Sequence, residues 1–163
     1  MKRVLVFLCL LPVLLTGCTS GGESAAVRLD CLIKVCPELP TGQIYDSQAE
    51  EGMVSYLNAS LKKSLYGERA EEILALTESY AIYLSSQPLP CEIAVFRCYS
   101  RTDAHRVTAM CLERAEAIRV AIRETPYVER MDWIRVLTKD RTVIMTVTPD
   151  PERMEEEALR QMK

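Results

Sequence analysis

The chain has 163 residues, with 20 basic and 23 acidic side chains and a formal net charge of −3 at pH 7. A chain of this length fits one domain, and its acidic balance excludes the basic composition typical of nucleic-acid-binding domains. The sequence therefore predicts a single folded domain with no nucleic-acid partner.

The N-terminal residues have the pattern of an export signal. Lys2 and Arg3 provide a charged segment, and an apolar run of about a dozen residues, Val4–Leu15, follows it, within the usual length for a signal peptide. The run is too short for a transmembrane helix, which needs about 20 apolar residues. We therefore expect residues 1–17 to be a signal peptide that is removed on export.

A cysteine stands where this signal should end. The sequence LTGC at Leu15–Cys18 resembles the lipobox of bacterial lipoproteins, in which the signal is cut before a cysteine that carries lipid. The resemblance implies a covalent lipid on Cys18, no other cofactor, and a lipidated flexible spacer over residues 18–26. Thr19 stands where enteric lipoproteins retained in the inner membrane have aspartate. We therefore expect anchoring in the outer membrane, with the domain facing the periplasm.

Five further cysteines belong to the mature chain: Cys31, Cys36, Cys91, Cys98 and Cys111. An oxidising periplasm permits disulfides, but an odd number leaves at least one thiol free or paired with another chain. Cys31 and Cys36 are close enough in sequence to pair locally, while Cys91, Cys98 and Cys111 compete for another bridge. The spacings are not those of a zinc ribbon, and the chain has a single histidine, so no metal site is expected.

The spacing of apolar residues predicts the elements of the first half of the domain. Alternation in VRLDCLIKVCP predicts a strand over Val27–Pro37, and Gly42–Tyr45 predicts a turn or a short second strand. Apolar residues at three- and four-residue intervals predict a helix over Asp46–Leu65. A second amphipathic stretch predicts another helix over Gly67–Gln87.

The second half has clearer patterns. CEIAVFRCYS, Cys91–Ser100, predicts a central strand, and the periodic stretch Val107–Ile122 predicts a helix. Trp133–Leu137 and Thr142–Thr148 predict two strands joined as a hairpin. A charged C-terminal helix is expected over Pro151–Lys163.

The predicted order of elements is β-α-β-α-β-β. Together they indicate a single α+β domain over residues 27–150, followed by the charged helix over residues 151–163. The expected architecture is a small mixed sheet with helices packed on one face.

The second half also resembles a known family. A helix ending near a proline, a strand, the pair Thr102-Asp103, a helix containing Arg114-Ala115 and two closing strands are similar in order to the OmpA-like and Pal-like peptidoglycan-binding domains. In that family the aspartate engages the ammonium group of a diaminopimelate residue in the cell-wall peptide, and the arginine engages its carboxylate. The resemblance implies that Asp103 and Arg114 bind peptidoglycan in this way. An anion and a cation together match a zwitterionic ligand, and a guanidinium binds a carboxylate through two parallel hydrogen bonds.

Two functions from different classes are therefore expected. The first is an outer-membrane lipoprotein that is a structural or binding component of the cell envelope and contacts peptidoglycan or a larger envelope complex, such as a secretion system. The alternative is a pilotin-like accessory lipoprotein that binds and assembles a membrane protein partner through a groove or an exposed edge strand. No enzymatic activity is expected, because the sequence has one histidine and no nucleophile elbow, zinc-protease motif or phosphate loop.

Overall fold

The computed structural model describes residues 23–86 and 91–163, apart from the side chain of Met131, and in them it shows one five-stranded antiparallel sheet. The predicted signal peptide, Cys18 and most of the spacer lie outside the described residues. The strands are β1 Gly42–Asp46, β2 Thr77–Ser85, β3 Glu92–Cys98, β4 Ile134–Lys139 and β5 Thr142–Val147. Their order across the sheet is β1-β2-β3-β5-β4, which puts β3 in the middle.

Helices cover both faces of this sheet in the described part of the chain. They are α1 Ala25–Lys34, α2 Ala59–Tyr66, α3 Ala70–Leu74, α4 Arg101–Ile122 and α5 Pro151–Gln161, with a 3-10 helix at Val128–Trp133. Helices α1 and α5 pack on one face, and α2, α3 and α4 pack on the other. Among the described helices, none combines the length and the apolar character needed to cross a membrane.

The central strand β3 holds the two layers together. All seven of its residues are buried, and their side chains alternate between the two faces. Ala94 and Phe96 pack with α4, whereas Ile93 and Val95 pack with α1 and α5. Full burial of a Phe or Ile side chain contributes about 2 kcal/mol. The strand is therefore fixed by apolar contacts on both sides, which is why the sequence pattern identified it as central.

The structure confirms an α+β fold and corrects its finer description. The sheet is antiparallel rather than mixed, since every neighbouring pair of strands has antiparallel register. The helices lie on both faces rather than on one. The order of elements also differs from β-α-β-α-β-β, because the chain forms α1 where the first strand was predicted and β2 where part of the second helix was predicted.

The predicted strand at Val27–Pro37 is wrong, because this segment forms α1. Its buried residues are Ala25, Leu29 and Leu32, which recur at helical spacing, and Ser24 caps the first turn by accepting a hydrogen bond from the amide of Val27. A short apolar run satisfies a strand pattern and a helix pattern equally well. Packing against β2 and β3 decides in favour of the helix.

The two helices predicted over Asp46–Leu65 and Gly67–Gln87 are shorter than expected. The first begins only at Ala59, where Asn58 provides the N-cap, since residues before it form turns. The second ends after α3, and the chain then continues as β2, which carries the aromatic and β-branched residues that favour strands. Alternate residues of β2 enter the two cores, a placement that a helix could not give them.

The remaining predicted elements are confirmed, with shifted ends. The stretch Gly42–Tyr45 is a strand, β3 is the central strand, and Pro151–Lys163 contains α5. Helix α4 begins six residues before the predicted start, because Ser100 caps it. Strands β4 and β5 form the expected hairpin, whose turn holds Asp140 at a φ of 52°, in the left-handed region.

Candidate functional site

Arg114, one of the two predicted peptidoglycan-binding residues, is held by a buried carboxylate. Its Nε and Nη2 atoms donate to Oε2 of Glu92 at 3.0 and 2.9 Å. Glu92 is the first residue of β3 and its side chain is only 2% exposed. The hydroxyl of Tyr66 donates to the other carboxylate oxygen, Oε1, at 3.1 Å. Both oxygens of Glu92 therefore have a donor, as a buried carboxylate requires.

This cluster of Tyr66, Glu92 and Arg114 joins three elements. Tyr66 comes from the end of α2, Glu92 from β3 and Arg114 from the middle of α4. Burial raises the pKa of the Tyr66 hydroxyl well above its ordinary value, and the neighbouring Glu92 charge raises it further. Tyr66 is thus a neutral hydrogen-bond donor to the carboxylate at physiological pH.

A cleft of about 260 Å³ opens above this cluster. It is lined by residues from the end of α2 and the middle of α4, namely Lys63, Ser64, Leu65, Tyr66, Gly67, Glu113, Arg114 and Ala117. The side chain of Arg114 is 22% exposed, so its guanidinium lies between Glu92 and the cleft. Lys63 pairs with Glu68 across 2.7 Å at the rim. The two cations that border the cleft, Lys63 and Arg114, thus already have partners within the protein.

Asp103, the second predicted residue, belongs to the first turn of α4. Its amide donates to Oγ of Ser100 at 3.1 Å, and the Ser100 hydroxyl donates back to its carboxylate at 2.6 Å. This reciprocal pair satisfies the helix N-terminus, where a negative charge is favourable.

The structure does not bring Asp103 and Arg114 together. Both lie on α4, eleven positions apart, which corresponds to about 16 Å along a helix axis. A single zwitterion that spans them would have to replace the Ser100 bond at one end and the Glu92 ion pair at the other.

The five candidate disulfide cysteines are all free thiols in the structure. Neither the Cys31–Cys36 pair nor a bridge among Cys91, Cys98 and Cys111 is formed within the described residues. Because α1 is a helix and not a strand, Cys31 lies half-buried on its side, whereas Cys36, beyond the helix end, points into the core with Cys91. Cys98 and Cys111 lie in the opposite core.

The buried thiols have raised pKa values. Burial raises the pKa of Cys91 to about 11 and that of Cys98 to about 12, against an ordinary value of 9.0. Burial also raises the pKa of Cys111 well above that value. Thiols of this kind stay protonated and react slowly with electrophiles. No group of three histidine, cysteine or acidic side chains in residues 23–86 and 91–163 is placed to hold a metal ion.

Sequence reasoning missed Glu92, although the sequence contains a signal for it. Glu92 and Arg97 are the charged residues of β3, whose other members are apolar or cysteine. Charged residues in a central strand are almost never buried without a partner. Their presence in CEIAVFRCYS therefore indicates two tertiary ion pairs, and the structure shows them as Glu92–Arg114 and Arg97–Glu78.

Comparisons of the chain with protein-family models, with curated proteins and with solved structures gave no match. The similarity to OmpA-like domains stays a prediction from the sequence.

Proposed function

We propose that this chain is an outer-membrane lipoprotein whose periplasmic domain is a binding component of the cell envelope. The single observation that carries the proposal is the lipobox at Leu15–Cys18, followed closely by a folded domain. Helix α1 begins at Ala25, only seven residues after Cys18. The lipid would therefore hold the domain close to the bilayer, where its partners must lie.

Lipidation is tested by labelling. When the full chain is expressed with a radiolabelled fatty acid, we expect the label to enter the wild-type protein and Cys9→Ser, but not Cys18→Ser. Stable anchoring needs more than one acyl chain. Because the proposed lipid on Cys18 would supply this anchor, the wild type should fractionate with outer membranes. Cys9→Ser is the matched control because Cys9 belongs to the signal that is removed. Equal labelling of Cys18→Ser, or none of the wild type, would contradict the proposal.

The geometry favours a protein partner over the cell wall. Asp103 and Arg114 have partners within the domain, so neither is presented with the other to a diaminopimelate residue. Strand β1, in contrast, forms one edge of the sheet. The turn that follows is fixed to this edge, since the amide of Asp46 donates to the carbonyl of Ser55 at 3.0 Å.

Exposed apolar side chains accompany this edge. Ile44 of β1 and Met53 in the turn are exposed, and Val54 beside Met53 is 80% exposed. An edge strand beside exposed apolar side chains can accept a further strand from another chain. This observation supports the second candidate, a pilotin-like accessory lipoprotein that binds a membrane protein partner.

The edge is tested by co-purification from detergent-solubilised membranes. We expect the wild type to recover a stoichiometric protein partner and Val54→Asp to lose most of it, because a charge opposes burial at an interface. Val120→Asp provides the control, since Val120 is exposed on α4, away from β1. Equal recovery by all three proteins would remove β1 as the docking edge, and recovery with peptidoglycan fragments instead would favour the wall.

A further inference from the structure

A cleft of about 200 Å³ lies at the end of the sheet where the chain enters the domain. Its walls come from α1, the end of β3, the β4–β5 turn and the residues after α5, and they comprise Arg28, Arg97, Lys139, Asp140, Arg141, Thr142, Met162 and Lys163. Five of these side chains are cationic and one is acidic. This cleft is separate from the cluster of Tyr66, Glu92 and Arg114, which lies on the opposite face of the sheet.

Two arginines at the back of the cleft share one acceptor. Arg97 Nη1 donates to the carbonyl of Glu23 at 2.8 Å, and Arg28 Nε donates to the same carbonyl at 3.3 Å. Arg97 is 9% exposed, so its charge is almost entirely withdrawn from water. The Nη1 atom of Arg28 is also buried, and it has no hydrogen-bond partner in the described part of the chain. A donor is therefore left unsatisfied where two like charges meet.

Carboxylates near the cleft do not balance its cations. Glu78 pairs with both Arg97 and Arg141, and Asp140 pairs with Arg101 outside the cleft. With Arg101 and the neighbouring Glu23 included, six cations stand against three carboxylates. This excess of three positive charges occurs in a chain whose net charge is −3. Burial lowers the pKa of Arg28, and the charge of Arg97 lowers it further, so an anion here would relieve a local repulsion.

The cleft is also tied to the lipid anchor. Glu23, whose carbonyl holds both arginines, follows Cys18 by five residues. Five residues can span at most about 18 Å, which is the length of a fully extended chain. If Cys18 is lipidated, the cleft must lie within reach of the headgroup layer. Arginine clusters recognise phosphate through paired hydrogen bonds, and basic pockets near a bilayer bind lipid head groups.

We propose that this basic cleft binds the phosphate group of anionic lipids in the membrane to which Cys18 is attached. The choice of a lipid as the source of the phosphate rests on the proposed lipid anchor. The site would hold the domain against the bilayer in one orientation, with α1 and the β4–β5 turn towards the membrane. The opposite end of the sheet, where Tyr83 donates to the carbonyl of Pro40, would then point into the periplasm.

The test uses the mature chain, residues 18–163, with Cys18→Ser so that the lipid does not mask weaker binding. This lipid-free chain, with the cleft unchanged, is the wild type for the comparison. Flotation compares vesicles of phosphatidylcholine with vesicles of equal parts phosphatidylcholine and phosphatidylglycerol, and calorimetry measures binding of glycerol phosphate. The cleft variant is Arg28→Gln/Lys139→Gln. The matched control, Arg69→Gln/Arg119→Gln, removes the same charge from the start of α3 and from α4, on the opposite face of the sheet. Circular dichroism verifies that all three proteins are folded.

We expect the wild type and the control to bind the anionic vesicles and not the neutral ones. The cleft variant should bind them about 25-fold more weakly, since it lacks two cations and each cation near an anionic surface contributes about a factor of five. Equal weakening in the control would overturn the proposal, because general charge would then explain binding. Binding of glycerol phosphate without vesicle binding would overturn the lipid as its source, and no binding to either would overturn the site. A failure of the fatty-acid labelling would leave these measurements unchanged, so the two proposals fail separately.

Discussion

Replacing Arg114 with methionine is expected to lower the free energy of unfolding by about 3–5 kcal/mol, the range for a buried ion pair that loses one partner. The reason is the carboxylate of Glu92, which is 2% exposed and would keep only the hydrogen bond from Tyr66. Methionine preserves most of the volume of the arginine stem, so little of the loss would come from a cavity. Urea unfolding followed by circular dichroism measures the change.

Arg119→Met is the matched control for this prediction. Arg119 lies on the same helix, and its ion pair with Glu116 is exposed to solvent at 3.6 Å. Pairs of this kind contribute about 0–1 kcal/mol, so this variant should differ little from the wild type. The double variant Arg114→Met/Glu92→Leu should recover much of the loss, because it removes both charges together. If Arg114→Met is no less stable than Arg119→Met, the guanidinium is not bound to Glu92 in solution and is available to a ligand.

The elements predicted correctly from the sequence are those whose apolar spacing fits only one type of secondary structure. Helix α4 repeats apolar residues over many turns, and the buried ones from the predicted start onwards are Val107, Met110, Cys111, Ala115, Ile118 and Ile122. Strand β3 has buried apolar residues on both faces, as is typical of a central strand. Helix α1 and strand β2 are so short that their apolar spacing fits both a helix and a strand. Contacts with the rest of the fold therefore decide their secondary structure.

The contact that decides the role of Arg114 is one that no local pattern contains. Asp103 and Arg114 are close in sequence, and the resemblance to a known family implied that they share a ligand. Ser100, the partner of Asp103, lies three residues before it in a local capping pair, whereas Glu92, the partner of Arg114, became visible only when the direction of α4 over the sheet was known. The pairing of the cysteines could not be predicted from local patterns either. It depends on whether α1 is a helix and on which face of the sheet each cysteine lies.

The folded protein is expected to lose stability as the pH rises above about 9, under reducing conditions that keep its thiols free. In the unfolded chain the thiols of Cys91 and Cys98 ionise near their ordinary pKa of 9.0, whereas in the fold their pKa values are about 11 and about 12. Their contribution is therefore fully present below pH 9.0 and is lost as the pH rises through the folded values. Each thiol removes about 1.4 kcal/mol per pH unit in this window.

Urea unfolding from about pH 8 to about pH 11 measures this loss. Cys98→Ala should flatten the dependence by removing one of the thiols that titrate. Cys111, a buried residue of α4, and Cys36 also have raised pKa values, so they add to the slope in the same direction and remain in this variant. An unfolding free energy that stays constant through this range would show that the buried thiols ionise in the fold as readily as in the unfolded chain. The close packing around β3 would then be looser in solution than the structure shows.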